Sequence, residues 1–223
     1  HAFDADQLDN LIGRTIKETD FGIRQGRKNE VFEALDNKKY NLNDSISLIT
    51  CDSIPIAIAG VIGGTNSSVT SETNRIWLEA AVFPPSSVRN SSREIGLRTD
   101  ASSRFEKGIS ANMTIAVANR AHEVLSDQVS AKVIKKFVNS GFSKQEVKIK
   151  LRMQKIHQIL GQVRVKRIQE DLNKSDTSLT DLSSNEVEKL LKVLGCNLIR
   201  DGENWDVIIP PHRSSDLIRE IDL

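Results

Sequence analysis

A few residues in this chain have the types and setting to do chemistry. Glu79 stands in "WLEAAVF", an acid flanked by Trp77, Ala81 and Phe83 at alternate positions of an apolar run. A carboxylate there is expected to be partly buried, and a buried charge needs a partner. It reads either as half of a structural ion pair or as the polar group at the floor of a pocket. "IAGVIGG" (58–64) places a glycine cluster after an apolar strand. Backbone without Cβ atoms can approach a ligand closely and present its N–H groups. The cluster lacks the Gly-Lys-Ser/Thr of a phosphate loop and the spacing of a dinucleotide fingerprint. A tight turn between strands accounts for it equally well. "GLRTDASSRFEKG" (96–108) sets small residues at the mouth of a helix. They leave room at a strand–helix junction, or Thr99 and Asp100 simply cap the helix. A basic run over 147–167 holds Lys148, Lys150, Arg152, Lys155, Arg164, Lys166 and Arg167 with no acid. It reads as a solvated face or as a nucleic-acid contact, without the interleaved aromatics that base stacking needs.

The elements that must position these residues follow from pattern. "DSISLIT" and "IPIAIAG" read as short strands, and 19–34 as a polar surface excursion. "GVIGGTNSSVTSETN" (60–74) reads as a loop, and 75–83 as a strand in which Ile76 and Leu78 alternate with Trp77 and Glu79. "PPSSVRNSSREIG" (84–96) suits a helix, with Pro85 in its first turn and Gly96 past its end. Residues 101–127 carry Met113, Ala116, Val117, Ala121, Val124 and Leu125 at helical spacing. "VKIKLRM" predicts a strand, "QKIHQILG" a short helix, and "SSNEVEKLLKVLG" a helix with a Ser183/Glu186 capping box and a Gly195 stop. "NLIRDGENWDVIIP" predicts a hairpin turning at Asp201-Gly202. The expected fold is α+β: a β-rich domain with helices over 1–140, then a small winged-helix-like α/β module over 145–223 with a polar insertion at 164–182.

Bulk composition limits the function classes. The chain has 223 residues, 38% hydrophobic and 27% charged, with a net charge of +1. That balance gives no global argument for nucleic-acid or membrane binding. No apolar run approaches the roughly 20 residues of a membrane span. Two distant cysteines, Cys51 and Cys196, make no metal or redox pair and fit a reducing, cytoplasmic setting. The chain starts at His1 and stops within "DLIREIDL", which reads as an unfinished helix. We expect a piece of a longer polypeptide.

Taken together, order and spacing resemble one family, the β subunit of bacterial phenylalanine–tRNA ligase. The matching stretches are "HAFDADQL" (1–8), "IAIAGVIGG" (56–64), "WLEAAVFPPSSVR" (77–89), "GLRTDASSRFEKGI" (96–109), "LKVLGC" (191–196) and "IIPPHRSSDLIREIDL" (208–223). Lys107 stands where arginine is usual in that family, and "ISAN" (109–112) where Val-Asp-Pro is usual.

The resemblance implies an enzyme, an α2β2 ligase that joins phenylalanine to tRNA(Phe) with ATP and Mg2+. Its synthetic site lies in the α subunit, outside this chain. Residues 1–140 would be most of an editing domain that hydrolyses Tyr-tRNA, and 145–223 a small helix-turn-helix-containing module. The alternative is a structural or nucleic-acid-binding region without editing. The carried-over pocket residues are His1, Gly63, Glu79, Thr99 and Ala101. Glu79 would receive the tyrosine hydroxyl, Gly63 would meet the ester end, and Thr99 and Ala101 would shape the cavity. No general base is assigned. Asp216 and Asp222 would be magnesium ligands in the intact heterotetramer only, and no cofactor is expected in this chain alone. The chemistry explains the need for editing. A hydrophobic pocket rejects an isostere with one added hydroxyl only about a hundredfold, so a second site must hydrolyse the product.

Overall fold

The computed structural model describes residues 1–138, 146–164 and 179–223. Most of the polar insertion at 164–182 therefore lies outside the described residues, as do Lys166 and Arg167 of the basic run. The chain divides into two compact units, His1–Ser143 and Lys144–Leu223. Both are α+β with antiparallel sheets. Among the described residues no helix is long and apolar enough to cross a membrane.

In the first unit, strand β1 (Ala2–Asp4) runs straight into helix α1 (Ala5–Ile12). Asp4 starts that helix, its Oδ1 accepting from the Gln7 N–H at 2.9 Å, and Gly13 ends it at φ 77°. Asp4 is buried, which would raise its pKa. Hydrogen bonds from the Thr73 hydroxyl and the Gln7 backbone outweigh that and hold it below the usual carboxylate range. Strands β2 (Phe21–Gln25), β3 (Val31–Glu33), β4 (Lys39–Asn41), β5 (Ser47–Cys51), β6 (Ile54–Ile58) and β7 (Ile62–Gly63) follow. Four of them form a sheet ordered β2-β5-β6-β7, and β3 pairs with β4 as a hairpin. Strand β8 (Ile76–Leu78) returns to pair with β1. Helices α2 (Pro85–Glu94), α3 (Asp100–Phe105) and α4 (Thr114–Val129) complete the unit.

All five residues of β5 are buried, as a strand covered on both faces must be. Its fellows in the core include Phe3, Leu8, Phe32, Ile56, Ile58 and Val88. Helix α2 reaches that sheet through polar contacts. The Ser47 N–H donates to Ser91 Oγ at 3.1 Å, and the Ser47 and Ser87 hydroxyls lie 2.7 Å apart. Gly60, at φ 69°, lets the chain turn under α2, where a Cβ would sit 2.9 Å from Val88 Cγ2 and 3.0 Å from Phe83 Cδ2.

Three expectations for this unit change. The 19–34 excursion contains strand β2, which pairs with β5 from Phe21↔Cys51 to Gln25↔Ser47. Its partner lies 22 to 30 residues away, so the local polarity concealed it. The strand expected over 75–83 is limited to Ile76–Leu78, and the helical pattern over 101–127 breaks between α3 and α4, where Gly108 takes φ 91°.

In the second unit, strand β9 (Lys148–Arg152) leads into α5 (Met153–Leu160). Short strands β10 (Val163–Arg164) and β11 (Leu179–Thr180) pair with each other. Helix α6 (Ser184–Val193) and strands β12 (Asn197–Asp201) and β13 (Asn204–Ile208) follow. The Ser183 N–H donates to Glu186 Oε2 at 2.8 Å, closing the expected capping box. Gly195 ends α6 at φ 83° and Gly202 turns the hairpin at φ 62°. The sheet is ordered β12-β13-β9, and Trp205 sits fully buried at its centre. Asp216–Leu223 is not the helix its pattern suggests. The Asp222 carboxylate accepts from the Ile218 and Arg219 N–H groups, at 3.3 and 2.9 Å, and a short 3-10 turn forms instead. Local side-chain bonds of this kind compete with helix formation.

Each unit holds one free, buried cysteine. Burial pushes the Cys51 thiol up to about 11 and raises that of Cys196. Neither is poised as a nucleophile.

Candidate functional site

The β1–β8 ribbon brings the two most chemically interesting side chains together. Its register pairs Ala2 with Leu78 and Phe3 with Trp77. The ladder extends by one residue through reciprocal bonds, Glu79 N–H to His1 O at 2.7 Å and His1 N to Glu79 O at 2.9 Å. Directly opposed residues in an antiparallel pair project from the same face. His1, Phe3, Trp77 and Glu79 therefore share one face, while Ala2, Ile76 and Leu78 share the other. Phe3 is 1% exposed and anchors the first face to the core, whereas Ile76 and Leu78 remain exposed. The rings of His1 and Phe3 meet at a tilt of 56° with centroids 4.7 Å apart, and Phe21 meets Trp77 edge-on at 5.1 Å.

Gly63 lies against this face. A Cβ on it would fall 2.6 Å from His1 Nε2 and 3.1 Å from Leu35 Cδ1. The absence of a side chain is what lets the imidazole rest on the Gly63 backbone. The strand register and the glycine together gather His1, Gly63 and Glu79.

Glu79 is half-buried, and among the described residues nothing hydrogen-bonds or ion-pairs with its carboxylate. Burial raises its pKa. A carboxylate with open lone pairs on an apolar wall is an acceptor for a hydroxyl or an ammonium group. The raised pKa has a consequence for stability. Burying the charged form is unfavourable above the ordinary glutamate value of ~4.3. Wild-type stability should thus fall, relative to Glu79→Gln, as pH rises through the interval between the unfolded and folded pKa values. Thermal melts at pH 4 and pH 7.5 check this: the two proteins should melt alike at the lower pH, and the variant later at the higher.

Thr99 caps α3, as its position suggested, and also reaches across to another loop. Its Oγ1 accepts from the Ser102 N–H at 3.1 Å, capping α3, and donates to Val61 O at 2.8 Å. Ser102 Oγ returns the cap by accepting from the Thr99 N–H at 2.9 Å. The hydroxyl hydrogen is thereby committed to Val61 O, two residues before Gly63. Ala101 lies exposed on the first turn of α3 and joins the others only through that helix. Sequence reasoning missed Leu35 and the Val61 carbonyl. Neither has a local signature, since both act through contacts across the fold.

The carboxylates near the end of the second unit are engaged. Asp216 pairs with Arg213 at 2.8 Å and Asp222 with Arg219 at 2.9 Å. Both arginines hold the carboxyl groups below their usual range. Among the described residues no group of three or more His, Cys, Asp or Glu side chains is placed to hold a metal ion. Magnesium wants several hard oxygens in octahedral array, and two arginine-bound carboxylates do not supply that. The basic run is also partly neutralised, Lys150 by Asp201 at 3.2 Å and Arg152 by Glu220 at 2.6 Å.

Comparison with known proteins agrees with this division of the chain. Residues 1–130 match the B3/4 domain family, and residues 149–223 the tRNA synthetase B5 domain family. The whole chain is 57% identical over 223 residues to the phenylalanine–tRNA ligase beta subunit of Prochlorococcus marinus strain NATL2A, covering 27% of that protein. It is 44% identical to the protein of the same name from Prochlorococcus marinus strain MIT 9312, covering 26%. For that of Synechococcus sp. strain CC9902 the figures are 41% and 26%. The chain thus spans about a quarter of the length of these relatives. With more than half of its residues matched by one family, the chain belongs to the B3/4 domain family, and a tRNA synthetase B5 domain follows in the same polypeptide.

Proposed function

We propose that this chain is the B3/4–B5 portion of a phenylalanine–tRNA ligase β subunit, and that its first unit hydrolyses mischarged Tyr-tRNA. The observation that supports this most is the half-buried, unpartnered Glu79 carboxylate on one ribbon face with His1, against the bare backbone of Gly63. Tyrosine offers that carboxylate a phenolic O–H. Phenylalanine offers nothing and leaves it unpaired, a difference of about 1–3 kcal/mol or more for a charged acceptor. The site selects for the very group that the synthetic site fails to exclude. Gly63 admits the ester end of the substrate beside the His1 imidazole, and Thr99, tied to Val61, fixes the wall. Hydrolysis adds water across the bond between the tyrosyl carboxyl and the ribose oxygen, releasing tyrosine and intact tRNA. Positioned water and the neighbouring ribose hydroxyl suffice for that step, and no side chain here is assigned as general base.

On this reading the full protein is cytoplasmic and works with an α subunit in an α2β2 assembly. That assembly charges tRNA(Phe) with phenylalanine, using ATP and Mg2+. Asp216 and Asp222 contribute to a magnesium site only if their arginines yield. No step proposed for this chain runs through the ion.

The test is hydrolysis of Tyr-tRNA by the intact ligase with and without Glu79→Ala. We expect the rate to fall about tenfold to a hundredfold, with phenylalanine activation unchanged. An unchanged hydrolysis rate would return the region to a structural or RNA-binding role without editing.

A further inference from the structure

Helix α2, the loop after it and the end of α3 enclose an open groove of about 680 Å³. Arg89, Arg93, Arg98 and Lys107 line it against a single carboxylate, Glu106. That carboxylate is bound by Arg98 at 2.7 Å, and Arg89 donates to the Glu106 carbonyl at 3.2 Å. Among the described residues no ion pair engages Arg89, Arg93 or Lys107. A chain of net charge +1 has concentrated three unneutralised cations in one groove.

The C-terminal end of α2 beside them carries only about half a unit of negative charge against three full positive ones. The last carbonyls of α2 are occupied: Ser91 O by the Ile95 N–H at 3.2 Å, Ser92 O by Leu97 at 3.0 Å and Arg93 O by Gly96 at 3.1 Å. Gly96, at φ 66°, is one of the lining residues and ends α2 without a side chain. No aromatic residue lines the groove, so it is suited to a phosphodiester backbone rather than to base stacking. Arginines match phosphate geometry with two parallel donors. One lining residue of the groove is next in the chain to the site already described. Arg98 is followed directly by Thr99, whose hydroxyl is bonded to Val61 O, two residues from Gly63.

We infer that this groove is the track along which the single-stranded 3′ end of an acylated RNA runs to the Gly63–Glu79 site. The inference rests on the editing function proposed above and names how its substrate is held. Each phosphate met by a cation releases counterion, giving a slope of about −0.7 in log K against log salt for single strands.

The test uses the full-length ligase and the exposed pair Arg93→Gln/Lys107→Gln, which disturbs no ion pair among the described residues. Uncharged tRNA(Phe) is titrated at several salt concentrations. The slope should become shallower by about 1.4, two phosphates at about 0.7 each. The KM for Tyr-tRNA hydrolysis should rise about tenfold, with kcat unchanged and with hydrolysis of free tyrosine methyl ester unchanged. A control variant, Lys28→Gln/Lys39→Gln, removes the same charge from the same unit away from the groove and should leave slope and KM as they were. A wild-type slope or a wild-type KM in the groove variant overturns the inference. So does an equal change in the control, which would mean bulk charge alone, or binding of a polyglutamate peptide in preference to RNA. If the wild-type ligase hydrolyses neither substrate, the editing function falls, and the slope comparison still decides whether RNA lies in the groove.

Discussion

Trp205→Ala unfolds the second unit and leaves the first standing. Trp205 is 0% exposed at the middle of the three-stranded sheet, paired with Leu151 of β9 and Arg200 of β12. The buried core of that unit comprises Ile149, Leu151, Val187, Leu191, Cys196, Val207, Ile209 and Leu217 besides the indole. Removing the largest member leaves a void that so small a core cannot close. Phe or Trp truncations of this kind cost about 3–5 kcal/mol, and a unit of this size has total stability near the low end of about 5–15 kcal/mol. The indole N–H also donates to Glu188 Oε1 at 2.9 Å. Losing that bond adds little, because Glu188 retains Lys192 and Arg200 at 3.4 and 3.7 Å. The chain has two tryptophans, and the variant keeps Trp77 as a reporter of the first unit alone. Circular dichroism should lose the signal of the second unit at 25 °C, while denaturation followed by Trp77 fluorescence keeps its midpoint. A parallel fall in the Trp77 midpoint would show that the two units are not energetically separate.

Gly63→Ala removes the proposed hydrolysis while sparing the fold. The new Cβ would come 2.6 Å from His1 Nε2 and 2.7 Å from its Cε1. Those atoms belong to the end of an exposed side chain, which can swing away, so the cost in stability is small. The site has no such freedom. The methyl group occupies the surface that the imidazole and, in the proposed function, the ester end of the substrate share, and a misplacement of about 1 Å costs roughly a hundredfold in rate. Gly64 supplies the contrast. A Cβ there would meet Ile56 O and Phe32 Cε2, each at 3.0 Å, and Asn66 Oδ1 at 2.7 Å. Backbone and core ring cannot move aside, so Gly64→Ala should cost about 1–3 kcal/mol of stability. Hydrolysis of Tyr-tRNA and thermal melting, measured on both variants, separate the two cases. A Gly63→Ala protein with full hydrolysis would remove Gly63 from the site.

What could be read in advance was whatever has a local cause. The Ser183/Glu186 box, the Asp201-Gly202 turn, Pro85 at a first turn and Gly195 past a last one all act within four residues. Each stands where its pattern places it. Strand β2 was hidden in a polar stretch because its partner β5 supplies the burial. The end of the chain misled in the opposite direction, since the apolar spacing of Leu217, Ile218 and Ile221 is helical but the Asp222 carboxylate captures the backbone N–H groups. The candidate site was visible as residue types and, through family resemblance, as a set. Its geometry was not legible, because the opposition of His1 to Glu79 depends on a register set across 78 positions. The basic groove escaped for a similar reason. Its cations are scattered over 89–107 among acids and serines, and only the packing of α2 against α3 sorts them onto one surface.

The β1–β8 ribbon has a kinetic consequence. It closes a loop of more than seventy residues, and closure of such a loop costs about 4 kcal/mol in chain entropy before any contact repays it. A two-stranded ribbon is weak by itself, and Phe3 is the buried plug that holds this one to the sheet. The ribbon should therefore assemble after the β5–β6 hairpin, whose partners are near neighbours in sequence, and reopen before it. Amide protons of Glu79 and Phe3 would exchange with solvent faster than those of Ile49 and Ile58. The proposed substrate site would be the last part of its unit to form and the first to loosen.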